Sequence, residues 1–200
     1  MIKTILMILL FFCIATSCYA GGLIMGGGVL TVGGSTYVGW PNSDGTPTGA
    51  PTSESVAGED AIVTTQWTAT ENGTIKTIQF YTGSLWAADG ASVVVYKDIT
   101  GTKTLIGKGT ATVPGTAQWI AKTTVTVESG QSLTFATNDV LYFGVYYYDI
   151  LGSSSRVGRE DAGGTGGYYQ TLSGETGTPP ATFTSTLSAS RLMSFILEYE

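Results

Sequence analysis

The sequence contains no histidine and only two cysteines in 200 residues. Without imidazole the chain lacks the usual general base, the Ser-His-Asp arrangement and histidine-bound metals. Both cysteines, Cys13 and Cys18, lie within the first 20 residues, so the remainder has no thiol for catalysis or for a disulfide. We therefore expect a protein that is not an enzyme, and hydrolysis of glycosides by two carboxylates is the catalytic alternative that stays open.

Charge is also scarce, since charged residues make up 12% of the chain and the formal net charge is −6. So few cations cannot neutralise the phosphates of a nucleic acid, which excludes nucleic acid as a partner. A transmembrane segment is not expected after the first 20 residues either. The apolar segment 21–34 (GGLIMGGGVLTVGG) is too short and too often interrupted by glycine to span a bilayer as a helix.

The first residues carry the pattern of a secretory signal peptide. Lys3 is followed by an apolar run that reaches Ala15, and small residues precede a cleavage position after Ala20. This pattern predicts export, with residues 1–20 removed. The alternative treats residues 15–18 (ATSC) as a loose lipobox, in which Cys18 becomes lipidated and anchors the protein to a membrane surface.

The rest of the chain is rich in β-branched and aromatic residues, in short segments separated by turn residues. We predict strands near residues 61–68, 74–82, 91–98, 104–112, 117–127, 132–136, 140–149 and 191–199, and weaker ones near 167–172 and 182–187. No helical periodicity occurs, and the connections are too short for crossover helices. The pattern predicts an all-β fold, a two-sheet antiparallel β-sandwich.

Three regions follow from this organisation: a signal peptide (1–20), a Gly/Pro-rich leading segment and spacer (21–58), and the β-sandwich domain (59–200). Within 21–34, we expect Val29, Leu30 and Val32 to join an edge strand. The alternative is that 21–34 inserts into a neighbouring subunit and so mediates self-association.

Residues 59–150 resemble a known family. The strands GTIKTIQFY, SVVVYKD and AQWIAKTTVTV, followed by DVLYFGVYYYD, are similar in order to those of jelly-roll modules of secreted bacterial proteins, among them carbohydrate-binding modules and accessory surface domains. The resemblance implies a jelly-roll-like sandwich in which Trp67 and Trp119 pack in the core. It also implies a possible structural calcium ion; the acidic residues near strand ends are Glu59, Asp60, Asp98, Glu160 and Asp161, and no spaced ligand pattern is present.

The aromatic strand 140–149 is the main candidate for binding. Its two-residue period places Leu141, Phe143, Val145 and Tyr147 on one face, which we expect in the core, and the tyrosines 142, 146 and 148 on the other. Exposed, this second face is a platform on which a sugar ring stacks. The predicted ligand contacts are Tyr142, Tyr146, Tyr148, Trp86 and Asp149. The alternative is that residues 150–182 fold over this face and make it a second core.

Together these patterns predict a secreted or surface-tethered, non-catalytic binding module whose partner is a glycan or cell-surface polysaccharide. The alternative is a structural or adhesive extracellular protein that self-assembles through residues 21–34. No cofactor is expected beyond the calcium ion that the resemblance implies.

Overall fold

The computed structural model describes residues 30–32, 34–39, 53–57, 60–83, 90–148, 155–160, 167–172, 177–184, 186–188 and 192–200. These residues form β-strands and turns, with no helix among them. In chain order the strands are β1 (Leu30–Val32), β2 (Ser35–Gly39), β3 (Ser53–Ala57), β4 (Asp60–Thr68), β5 (Gly73–Thr82), β6 (Gly90–Ile99), β7 (Thr102–Ala111), β8 (Gln118–Trp119), β9 (Thr123–Thr124), β10 (Thr126–Val127), β11 (Thr134–Phe135), β12 (Val140–Tyr148), β13 (Ser155–Glu160), β14 (Gly167–Leu172), β15 (Thr182–Phe183), β16 (Thr186–Ser188), β17 (Leu192–Met193) and β18 (Phe195–Tyr199).

The strands build two antiparallel sheets that pack face to face. The first sheet has the order β1-β2-β18-β5-β13-β17; β8, β9 and β11 also pair with β5, and β3 pairs with β13. The second sheet has the order β10-β7-β6-β12-β4-β14-β16, and β15 pairs with β7. This arrangement confirms the predicted all-β, two-sheet sandwich. In the described ranges no helix is long and apolar enough to cross a membrane.

The long strands follow the predicted segments closely, because their alternating β-branched and aromatic residues fill both layers. The segment predicted as one strand over 117–127 is instead divided into β8, β9 and β10. The division has a topological cause: β8 and β9 pair with β5 in the first sheet, whereas β10 pairs with β7 in the second. The chain therefore crosses between the sheets within this segment, with Val125 buried in the shared core.

Residues 30–57 contribute more to the sandwich than the sequence predicted. Leu30 and Val32 do lie in an edge strand, β1, which pairs with β2; Val29 lies outside the described residues. The spacer prediction is wrong for β3, which pairs with β13, while β2 pairs with β18. Neither β3 nor β13 has a strong β composition, so their conformation is set by the ladder that joins them.

The main core lies between the sheets. As predicted, Leu141, Phe143, Val145 and Tyr147 face it and are fully buried. Trp67 is also buried there, with its ring centroid 5.3 Å from that of Phe135 and 5.2 Å from that of Tyr199. Burying one large apolar side chain stabilises the fold by about 1.5–3 kcal/mol. The prediction for Trp119 is wrong: it is only partly buried in the short strand β8, where it packs edge-on against Tyr81 of β5.

Glycine 144 sets the spacing between β12 and β4. A Cβ atom at this position would lie 2.1 Å from the carbonyl oxygen of Val63. That distance is far below van der Waals contact, so any other residue would push the strands apart. The glycine thus brings β12 close to β4 in the middle of the aromatic strand.

Candidate functional site

The predicted tyrosine platform is not open to solvent. Tyr142 is 5% exposed and Tyr146 is fully buried. Both belong to a second apolar cluster, which lies on the outer face of the second sheet, opposite the main core. The prediction that these two side chains are exposed ligand contacts is therefore wrong.

Residues 177–184, which we call the cover segment, lie over this cluster and place the Phe183 ring edge-on against Tyr142, with centroids 5.7 Å apart. Its strand β15 pairs with β7, and its backbone accepts hydrogen bonds from the Tyr96 hydroxyl at Pro180 O (2.9 Å) and from Leu105 N at Ala181 O (2.8 Å). The Phe183 ring packs edge-on against Tyr96, with centroids 4.6 Å apart. A second core therefore exists on this face: Tyr142 and Tyr146 belong to it, and the ring that packs on Tyr142, Phe183, lies just beyond the stretch 150–182 named in the alternative.

Two charge effects accompany this cluster. Burial, reinforced by the nearby Tyr146 and Glu128, raises the pKa of Tyr96 far above its ordinary value, so its hydroxyl stays a hydrogen-bond donor to the cover segment. Lys103 Nζ lies 5.1 Å from the centroid of the Tyr142 ring and 5.7 Å from that of Phe183. A cation over two rings adds electrostatic attraction at the margin of the cluster.

The other predicted contacts have separate outcomes. Tyr148 is partly buried and stacks on Tyr146, with ring centroids 6.1 Å apart. This distance agrees with the spacing of about 6.6 Å expected for neighbours on one face of a strand. Trp86 and Asp149 lie outside the described residues, so their role as ligand contacts stays a prediction.

Within the described ranges no group of three acidic side chains lies close enough together to bind a calcium ion. Asp98 instead accepts a hydrogen bond from Gly101 N at 2.7 Å and so closes the turn between β6 and β7. Glu59 and Asp161 lie outside the described residues, and nothing is described of the side chains of Asp60 and Glu160.

A different site lies at one end of the sandwich, where the inner faces of the sheets part. In β6 the inner-face positions run from Val93 and Val95, in the core, to Lys97, which is half-buried. Opposite it lies β11, whose buried Phe135 pairs with Gly73 of β5. Two adjoining cavities that share Lys97 and Thr134 open here. We call them together the end cleft.

The first compartment of the end cleft has a volume of about 630 Å³, and the residues that line it include Asn72, Lys97, Thr134, Phe135 and Asp139. Lys97 Nζ lies 2.5 Å from Asp139 Oδ2, and the same oxygen accepts a hydrogen bond from Ala136 N at 2.7 Å. That backbone hydrogen bond, together with Lys97, holds the pKa of Asp139 below its ordinary value. The carboxylate is therefore charged and fixed at neutral pH.

Asn72 is held at the rim of the same compartment. Its Oδ1 atom accepts hydrogen bonds from Thr137 N (2.9 Å) and Thr137 Oγ1 (3.3 Å). Among the described residues, no partner is recorded for Asn72 Nδ2 or for Asp139 Oδ1. A donor and an acceptor are thus oriented by the protein and free for a ligand.

The second compartment, of about 580 Å³, lies between the β6–β7 turn and residues 130–134. Its polar lining comes from Gln131, Ser132 and Thr134, and the last two hydroxyl groups are 2.6 Å apart. Its apolar lining comes from Ile99, which is 41% exposed, and from the core residue Ile106. This compartment therefore combines hydrogen-bonding groups with an exposed apolar surface.

The sequence did not indicate this site. Its residues come from the turn after β4, the end of β6 and the segment 130–139, which are far apart in the chain and resemble ordinary strand ends and turns. The Asn72-Gly73 pair is a turn signal, but a turn signal alone does not indicate a binding site.

A second polar cluster lies on the outer face of the first sheet. Glu198 accepts hydrogen bonds from Thr77 Oγ1 (2.6 Å), Lys122 Nζ (3.0 Å) and Tyr37 OH (3.2 Å). Burial would raise the pKa of Glu198, but the bonds from Thr77 and Lys122 outweigh it and hold the pKa below its ordinary value. With its groups paired to one another, this cluster joins β2, β5 and β18 and is a weaker candidate for ligand binding.

Comparisons of the chain with protein-family models, with curated proteins and with solved structures find no match. The fold class therefore rests on the two sheets themselves, and the resemblance to jelly-roll modules stays a prediction.

Proposed function

We propose that this protein is a non-catalytic binding module, secreted or tethered to a cell surface, that binds carbohydrate at the end cleft. The observation that carries the proposal is an open cleft in which unpaired polar groups flank a fixed ion pair. The site differs from the tyrosine face that the sequence indicated, but the class of ligand is the same.

The chemistry of the cleft favours a neutral, polyhydroxylated ligand. Sugar hydroxyl groups both donate and accept hydrogen bonds, and the cleft offers both through Asn72, Asp139 and Gln131. The charge of Lys97 is already balanced by Asp139, so the first compartment offers no excess positive charge to an anion. Hydrogen bonds to these charged groups are stronger than neutral ones, which supports affinity in an open site.

The state of the carboxylates supports binding without hydrolysis. A glycosidase needs one carboxylic acid whose pKa is raised, so that it can protonate the leaving group. Asp139 has the opposite shift, because Ala136 N and Lys97 stabilise its charged form. Asp98 is engaged in the β6–β7 turn.

Glycan-array binding tests the proposal. Wild-type protein should bind one or more polysaccharides, and Asn72→Ala should lose most of that binding. Thr110→Ala is the matched control, because Thr110 is exposed at the opposite end of β7 and does not line the cleft. Equal binding by wild type and Asn72→Ala would argue against the end cleft. Trp86→Ala in the same assay tests the remaining prediction for that residue.

Two further arms address catalysis and metal. Overnight incubation with the bound polysaccharide should release no reducing ends, and release would contradict a non-catalytic role. Treatment with EDTA should leave binding unchanged, since the proposed contacts need no cofactor. Loss of binding on chelation, restored by Ca²⁺, would favour the calcium ion that the resemblance implies.

A structural or adhesive role is the second candidate, and β1 favours it. This strand pairs with β2 at the edge of the first sheet, and an edge strand can pair with another chain. Light scattering with and without residues 21–34 separates the two functions. An oligomer that becomes monomeric on truncation supports assembly, whereas monomers in both cases favour the binding module.

Export through residues 1–20 is part of the proposal. Mass spectrometry of the secreted protein should show an N-terminus at Gly21. Lipid attached to Cys18 in a membrane fraction would favour the tethered form instead.

A further inference from the structure

We propose that the end cleft takes an extended oligosaccharide, which crosses Lys97 and occupies both compartments, in preference to a single sugar. This inference rests on the proposed carbohydrate-binding function and specifies the class of ligand more narrowly.

The first argument is continuity. Lys97 and Thr134 line both cavities, so the two compartments adjoin, and a ligand longer than one compartment reaches the other across these two residues. Each compartment, at about 630 and about 580 Å³, lies within the size range of small-molecule sites. The pair is therefore larger than a single sugar needs.

The second argument is that both compartments present groups that fit a sugar. The first offers Asn72 and Asp139 for hydroxyl groups. The second offers Gln131 for hydroxyl groups and the exposed side chain of Ile99 for the apolar face of a sugar ring. Among the described residues the one aromatic side chain that lines a compartment is Phe135, which is buried, so one sugar unit gains little from stacking and affinity has to come from several units.

The third argument is the rigid centre. Lys97 is fixed by Asp139, and Ser132 Oγ accepts a hydrogen bond from Thr134 N at 3.1 Å, so the groups between the compartments are ordered before a ligand arrives. A ligand that spans an ordered site loses less free energy to ordering the protein, and its contacts in both compartments add.

The test measures affinity against ligand length. Series of cello-, laminari-, xylo- and chito-oligosaccharides of one to six units are titrated into the full protein. In the series that binds, the hexasaccharide should bind at least tenfold more tightly than the monosaccharide. Asn72→Ala and Gln131→Ala should each weaken hexasaccharide binding by about fivefold or more, a loss of about 1 kcal/mol.

Ile99→Ser tests the apolar lining, and Val127→Ser is its matched control. Val127 is the other large apolar residue that is well exposed in the described residues, and it does not line the cleft. Ile99→Ser should weaken hexasaccharide binding severalfold, and Val127→Ser should leave it unchanged. Circular dichroism of every variant separates lost binding from lost folding.

The outcomes distinguish the inference from the proposed function. A monosaccharide that binds as tightly as the hexasaccharide, with binding lost in Asn72→Ala but not in Gln131→Ala, overturns the extended ligand and leaves carbohydrate binding in place. No binding by the wild-type protein to any of these series or to any polysaccharide on the glycan array overturns both.

Discussion

Strand β12 is covered on both faces, but by different kinds of structure. Its inner face, with Phe143 and Val145, packs against a whole sheet of hydrogen-bonded strands. Its outer face, with Tyr142 and Tyr146, belongs to a smaller cluster beneath residues 177–184, which join β7 through the pairs of Thr182 and Phe183 and the bond from Leu105 N to Ala181 O. Both faces are buried to a similar depth.

The difference shows that the exposed fraction of a side chain does not determine the free energy needed to open the structure that covers it. Opening the inner face requires the two sheets to part, which is close to global unfolding. Opening the outer face requires only a short segment to leave, and such segments open at lower free energy. The predictions below test this difference, beginning with the inner face.

Phe143→Ala should produce the largest loss of stability, about 3–5 kcal/mol, because it leaves a cavity in a core that cannot collapse. Urea unfolding followed by tryptophan fluorescence measures the change. Phe143→Leu, which keeps most of the volume, should cost far less. A loss below about 1 kcal/mol for the alanine variant would show that the inner face relaxes easily.

Phe183→Ala should cost less, about 1–3 kcal/mol, because the cover segment can shift to fill part of the space. The variant should also bind a hydrophobic dye, since removing this ring uncovers Tyr142 and Tyr96. A loss as large as that of Phe143→Ala, without dye binding, would mean that the two covers are equivalent.

The pH dependence of stability should separate the outer faces of the two sheets. The pKa of Glu198 is lowered from 4.5, so its stabilisation is present above that value and is lost as pH falls through the folded pKa. Glu198→Gln should lose about 1–2 kcal/mol near neutral pH and show a flatter decline below pH 5. Phe183→Ala, on the other outer face, should keep the wild-type decline; a flattened one would contradict the assignment.

Lys103→Met should have the smallest effect, about 0.5–1 kcal/mol, because it removes the cation above the Tyr142 and Phe183 rings and keeps an apolar chain. Lys76→Met is the matched control, since Lys76 lies in β5 of the first sheet and forms an exposed ion pair with Glu200. If both variants lose the same stability in urea unfolding, the cation contributes nothing to the cover.

The sequence was sufficient for the sandwich and for the two faces of β12, because alternation identifies which side chains share a face. It left open whether the outer face is exposed or covered, and it did not indicate Phe183 as the covering ring. Phe183 lies far along the chain from Tyr142, in a weakly predicted strand whose pairing with β7 the composition does not reveal. The end cleft could not be predicted from the sequence for a similar reason. Asn72, Lys97 and Gln131 are far apart in the chain, and only the packing of the two sheets brings them to the same end of the sandwich. The strands β3 and β13 were missed because pairing, and not composition, makes them strands.

The position of β18 in the middle of the first sheet has a consequence for the order of folding. Its Glu198 meets Thr77 and Tyr37, which precede it by 121 and 161 positions. Pairing between such distant segments is slow, and β18 lies between β2 and β5, so the first sheet cannot form completely until β18 has paired with both strands. Under the proposed export through residues 1–20, this delay would keep the first sheet from closing before β18 has crossed the membrane.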